Sequence, residues 1–192
     1  MRPTRVVLAL VATALAPALL LTTPAVAASA ATTVSTTSTA DMSDDDLRVA
    51  IARILAAADP KTDKAVIREA NEALDANTPE ALRAFLKTGY RLAVAEDDRV
   101  RIFRILATAD PKTDKAVIRE VNETLDADTP EALRAFLETG YRLAVAEDDR
   151  VRVARILADP TISEALRAAA EAVIDGTPEE LRYFIEVGQY EV

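Results

Sequence analysis

Thr78-Pro79-Glu80-Ala81-Leu82-Arg83-Ala84-Phe85-Leu86-Lys87-Thr88-Gly89-Tyr90-Arg91 is the stretch whose reading decides the fold. It returns as Thr129-Pro130-Glu131-Ala132-Leu133-Arg134-Ala135-Phe136-Leu137-Glu138-Thr139-Gly140-Tyr141-Arg142, and more loosely from Thr177 to Tyr190. Thr78 is suited to cap a helix, Pro79 to its first position and Glu80 to its first turn. Leu82, Phe85, Leu86, Gly89 and Ala93 then recur at helical spacing and predict a buried face. The opposite face carries Glu80, Arg83, Lys87 and Arg91, matched in the second copy by Glu131, Arg134, Glu138 and Arg142.

The rest of the chain is spaced around these copies. Asp59-Pro60 recurs at Asp110-Pro111, a period of 51, and Asp159-Pro160 follows 49 residues later. Residues 59–102 and 110–153 differ at five places only: Ala70/Val121, Ala73/Thr124, Asn77/Asp128, Lys87/Glu138 and Ile102/Val153. A period of this length marks stacked helical repeats. Ser43, with Asp46 at the capping-box position, opens a first helix with Ile51, Ile54, Leu55 and Ala58 on one face. Asp59-Pro60 ends it, because the residue before proline avoids the α region. Asp63 is placed to cap a second helix holding Val66, Ile67, Ala70 and Leu74, and Asp75 to Asn77 read as a turn. Glu96-Asp97-Asp98 then reads as the start of the next cycle. The prediction is an all-α fold of nine helices, three to a unit, in a short solenoid-like array with units at about 43–95, 96–146 and 147–192. Gly89, Gly140 and Gly188 admit two readings, a helix terminator or a mid-helix site of close approach. Leu92 and Ala93 continue the apolar pattern past Gly89 and favour the second.

The Ala-Leu-x-x-Phe-Leu core resembles the ALF repeat, a short helical repeat of secreted actinobacterial proteins. The resemblance sits on Ala81, Leu82, Phe85 and Leu86, and on Ala132, Leu133, Phe136 and Leu137. The third copy departs from it with Glu180, Leu181, Phe184 and Ile185. With flanking helices it covers roughly residues 44–192. It implies a secreted helical repeat protein and carries no reaction.

The N-terminus reads separately. Arg2 and Arg5 precede an apolar run from Val6 to Leu21, and Ala25-Val26-Ala27 supplies a small-residue cleavage signal. This is the pattern of a secretory signal peptide over 1–27 cut after Ala27, and Ala28-Ser29-Ala30 offers a second cut. The run is short for a spanning helix and contains Pro17, so no stable membrane association is expected once the signal is removed. Residues 28–42 are mostly Ala, Ser and Thr, and read as a flexible linker.

Charge and composition bound the chemistry. Without the leader's Arg2 and Arg5, 21 of the 23 basic residues face 32 acidic ones, a net of −11. That balance argues against nucleic acid as a partner. The chain has no Cys and no His, which removes disulfides, thiolate ligands and the usual general base. No cofactor is expected. The acidic runs Asp44–Asp46, Glu96–Asp98 and Glu147–Asp149 read as helix starts rather than calcium loops, since no Asp-x-Asp-x-Asp-Gly pattern follows.

Arg83, Lys87, Arg91, Arg134, Glu138 and Arg142 form the candidate binding face, set against the plainer reading of a solvated face with weak ion pairs. The leading expectation is a secreted, non-catalytic interaction module for an extracellular protein or cell-wall polymer. The alternatives are a secreted enzyme or enzyme accessory with a carboxylate site in an inter-repeat groove, or a spacer with no ligand.

Overall fold

The computed structural model describes Thr39 and residues 41–192. The predicted leader, the cut after Ala27 and nearly all of the linker lie outside the described residues. Seven helices follow one another: α1 (Asp44–Ala57), α2 (Lys64–Ala76), α3 (residues 79–108), α4 (Lys115–Ala127), α5 (residues 130–158), α6 (Glu164–Val173) and α7 (Pro178–Glu186). A short 3₁₀ turn, Gly188–Tyr190, comes after α7, and there is no strand among the described residues.

The expected nine helices are therefore seven. Each predicted third helix is continuous with the first helix of the next unit. Helix α3 runs from Pro79–Ala84 through one widened π turn, Phe85–Gly89, into Tyr90–Thr108, and α5 repeats this at Phe136–Gly140. Glu96-Asp97-Asp98 is not a helix start, because no glycine or proline interrupts the chain between Tyr90 and Thr108 and Ala93, Ala95 and Ile102 keep its inner face buried.

The long helices tie the array together. Around the first half of α3, Leu82 and Phe85 close a layer with Leu47, Ile51 and Ala70 of α1 and α2. In its second half, Ile102 opens the next layer with Val117, Val121, Leu133 and Phe136. Helix α5 passes on in the same way to Val153, Ala170, Leu181 and Phe184. Every layer thus shares a helix with its neighbour, and no layer can lose its packing alone.

Gly89 and Gly140 sit in right-handed helical backbone, φ −58° and −59°. The close approach they permit comes from the helix's own Phe, not from a neighbouring backbone. A Cβ at Gly140 would lie 3.2 Å from Phe136 Cδ2, and one at Gly89 would lie 3.3 Å from Phe85 Cδ2. Each ring leans over its glycine and meets Tyr90 or Tyr141 edge-on, with centroids 6.2 and 6.1 Å apart. Gly140→Val is expected to lower stability by roughly 1–3 kcal/mol through overpacking against that ring, read by urea denaturation. Gly188 takes the other reading: α7 ends at Glu186, Val187 turns to φ −133°, and the 3₁₀ turn begins.

Loop chemistry repeats with the helices. Asn77 and Asp128 close α2 and α4 in the left-handed region, φ 51° and 47°, which Asn and Asp tolerate better than most residues. Arg48 bonds Asn77 at 2.9 Å, Arg99 pairs with Asp128, and Arg150 donates to the Ile174 carbonyl at 3.0 Å. One arginine per layer thus holds a helix C-terminus, the end where cations are favoured.

Candidate functional site: charged clefts between layers

The buried acids mark where the layers meet. Asp97, Asp98, Asp148 and Asp149 are the buried charged side chains among the described residues. Asp97 lies in α3, yet it caps α2. The Ala65 N–H donates to its Oδ1 at 2.9 Å and the Val66 N–H to its Oδ2 at 3.1 Å. Asp148 in α5 does the same for Ala116 and Val117 of α4, at 2.9 and 3.0 Å. A carboxylate here satisfies helix-start donors and suits the helix dipole.

Asp63, expected to cap α2, makes no side-chain cap. Its Oδ2 accepts from the Asp59 N–H at 2.8 Å and its Oδ1 from Arg101. The Asp-Pro turn and the neighbouring helix claim its carboxylate, so the α2 cap has to come from α3. Thr78 and Thr129 do cap as expected, each accepting at 3.2 Å from the third residue onward. Ser43 accepts from the Asp46 N–H, also at 3.2 Å. Asp46 completes the box only in part, since its carboxylate takes the Ser43 hydroxyl rather than the Ser43 N–H.

Asp98 and Asp149 sit deepest. Arg101 donates to Asp98 Oδ1 at 3.3 Å, and Arg134 of α5 lies 3.0 Å from Asp98 Oδ2. The Arg134 contact is ionic but out of line, for Asp98 Oδ2 accepts no hydrogen bond. Arg152 and Arg182 stand around Asp149 in the same way, at 3.3 and 3.0 Å, and Asp149 Oδ2 is likewise without a hydrogen bond. Burial pushes both carboxyls above the usual aspartate range, against the pull of Arg134 and Arg101 on Asp98 and of Arg182 and Arg152 on Asp149. Further out, Arg68 grips Glu96 at 3.1 and 2.9 Å and Arg119 grips Glu147 at 3.1 and 2.9 Å. Those guanidinium bonds hold the Glu96 and Glu147 carboxyls below their ordinary value.

These groups border two related clefts. The first, about 390 Å³, is bounded by α1, α2, α3 and α5 and includes Asp63, Asp97, Asp98, Arg101 and Arg134. The second, about 170 Å³, includes the 51-residue counterparts Asp114, Asp148 and Arg152, together with Arg182. Among the described residues no group of three or more acidic side chains is disposed to hold a metal ion, and no helix is long and apolar enough to cross a membrane.

The candidate binding face splits. Arg134 is drawn in to Asp98. Arg83 donates to the Met42 carbonyl at 3.2 Å and lies 3.7 Å from Asp44. Arg91 pairs with Glu131 and Arg142 with Glu179, the latter at 2.7 Å. Lys87 and Glu138 remain exposed. Four of the six residues thus reach another helix, a role that spacing along one helix does not reveal. Phe85 and Phe136 are buried, as their apolar face predicts.

The first and last of the described layers are built differently from the middle one. Leu47, fully buried, stands in α1 where Asp98 and Asp149 stand in later layers. Helix α6 caps itself, with Ser163 accepting from the Leu166 N–H at 3.0 Å.

No curated protein matches this chain. Residues 48–93 and 150–191 each match the ALF family, described as short repeats of unknown function; residues 99–144 repeat the first of these segments at the 51-residue offset.

Proposed function

We propose that the chain is a secreted, non-catalytic repeat protein whose array serves as an interaction module for an extracellular protein or a cell-wall polymer. The observation that carries the reading is the recurrence, one repeat on, of a related charged cleft. Stacked repeats offer extended surfaces, and repeated weak contacts on one partner add through effective concentration.

The secreted part of the reading rests on the Val6–Leu21 run and the Ala25-Val26-Ala27 signal. The non-catalytic part is supported by the absence of His and Cys from the chain and by how fully the acids are engaged. Asp97 and Asp148 are held by backbone N–H groups. Asp98 and Asp149 are held by arginines. A glycosidase-like pair needs one carboxyl free to give a proton and another free to attack or to activate water.

The test uses the exported protein immobilised and exposed to culture medium and to a wall fraction. Its N-terminus should read Ala28, or Ala31 if the second cut is used, and one partner should be retained and then weakened by Lys87→Glu, a change at an exposed position that leaves the paired arginines in place. An exported chain starting at Met1 would sink the predicted cut, and a chain that is not exported at all would sink the secreted reading. Retention of nothing above a scrambled-sequence control would leave the array a spacer.

A further inference from the structure

We propose that the first cleft binds the C-terminal carboxylate of an apolar peptide, held between Arg53 and Arg134. The proposal rests on the reading of the array as an interaction module and names the chemistry of the partner's end. Cleft volume is the first observation. About 390 Å³ lies within the roughly 300–1,000 Å³ of sites that enclose small ligands.

Charge accounting is the second. The cleft's three acids are already engaged at every oxygen but Asp98 Oδ2. Asp97 accepts two backbone N–H groups, Asp63 accepts the Asp59 N–H and Arg101, and Asp98 Oδ1 accepts Arg101. Arg53 and Arg134 also line the cleft, and among the described residues neither donates a hydrogen bond. Arg134 only rests against Asp98 Oδ2 at 3.0 Å, out of line. Arg53 is exposed, so a ligand can reach its donors without displacing a partner. A guanidinium with its fork unused favours a carboxylate, to which charge-assisted bonds are the strong ones.

The rest of the wall selects what the carboxylate is attached to. Ile54, Val66, Val94 and the Tyr90 ring form it. A chain-terminal carboxylate lies next to its own last side chain. One group can therefore take the arginines while the other covers the apolar wall.

The second cleft is a control within the same molecule. It holds only about 170 Å³. Arg182, in Arg134's place, donates to Glu186 at 3.3 Å. Arg104, the counterpart of Arg53, does not line it, and Thr108 stands where Ala57 stands in the first cleft.

The probes are N-acetylated Leu-Leu with a free C-terminus and its C-terminal amide. Each is titrated at fixed ionic strength into the exported protein, with the arginine side-chain N–H and Tyr90 ring signals followed by NMR. The free acid is expected to give saturable shifts at Arg53, Arg134 and Tyr90. Arg53→Gln, a change at an exposed position, should weaken binding about tenfold, the loss of one charged hydrogen bond. Arg134→Gln should do the same if melting shows it folded. The amide should bind more weakly than the acid by a similar factor.

Equal binding of acid and amide overturns the proposal, as does unchanged affinity in Arg53→Gln. So do shifts centred on Arg152 and Arg182, or no saturable shift into the millimolar range. The probe can bind when no partner is captured from medium or wall, and a partner can be captured when the probe fails, so the two readings fall separately.

Discussion

Phe136→Ala is expected to lower the free energy of unfolding by about 3–5 kcal/mol, the range for removing a buried aromatic ring. The ring is 3% exposed and packs in one cluster with Val121, Leu133 and Ala144. It also covers Gly140, which has no side chain to move into the space left behind. The surroundings cannot collapse easily, because α5 is fixed in one layer by Leu133 and in the next by Val153 and can slide toward neither. Phe85→Ala in the first layer should cost a similar amount, since that ring is 4% exposed and closes on Leu47, Ile51 and Leu82. The two rings lie in separate clusters, so the double variant should lose close to the sum of the single losses. Urea denaturation followed by circular dichroism reads all three. Variants that melt with the parent would mean the rings do not carry the packing assigned to them.

That pair of rings was legible from the sequence, and the reason is local. Phe85 follows Leu82 by three residues and precedes Gly89 by four, so period alone puts all three on one face. Thr78, Thr129 and Thr177 were legible as caps for the same reason, each within three residues of the N–H it accepts. The aspartate that caps α2 was not legible, since Asp97 stands 32 residues from Ala65. In the sequence, Glu96-Asp97-Asp98 looks like any acid-rich helix start. Only the stacking of α3 on α2 turns one of these acids onto backbone donors, another onto arginines and leaves the third outside on Arg68. The same limit hid Arg134. Its spacing from Glu131 and Glu138 suggests a surface ladder, while the partner it meets lies 36 residues back in α3. The helix count failed for a related reason. A predicted start needs a break before it, and the run from Tyr90 onward contains none.

Asp148→Ala is expected to cost about 2–4 kcal/mol, with one to three for each buried donor left without a partner. The carboxylate is 5% exposed and accepts from Ala116 and Val117, themselves 2% and 4% exposed. Water cannot readily replace it at either amide, and nothing else is placed to do so, because the Asp114 side chain is turned to the Asp110 N–H and Arg152. Asp148→Asn keeps one acceptor oxygen and should lose about half as much. The repeat supplies its own comparison. Asp46 occupies the corresponding position in α1, where no earlier helix lies beneath it among the described residues, and there its carboxylate takes the Ser43 hydroxyl. Asp46→Ala should therefore stay within about 0.5 kcal/mol of the parent, as surface changes usually do. Hydrogen exchange adds a local readout, since the Ala116 and Val117 amides should lose protection in Asp148→Ala before the amides around Val121 do. If Asp148→Ala costs no more than Asp46→Ala, the layers are held by their apolar contacts alone, and the cap supplied by α5 adds nothing to α4.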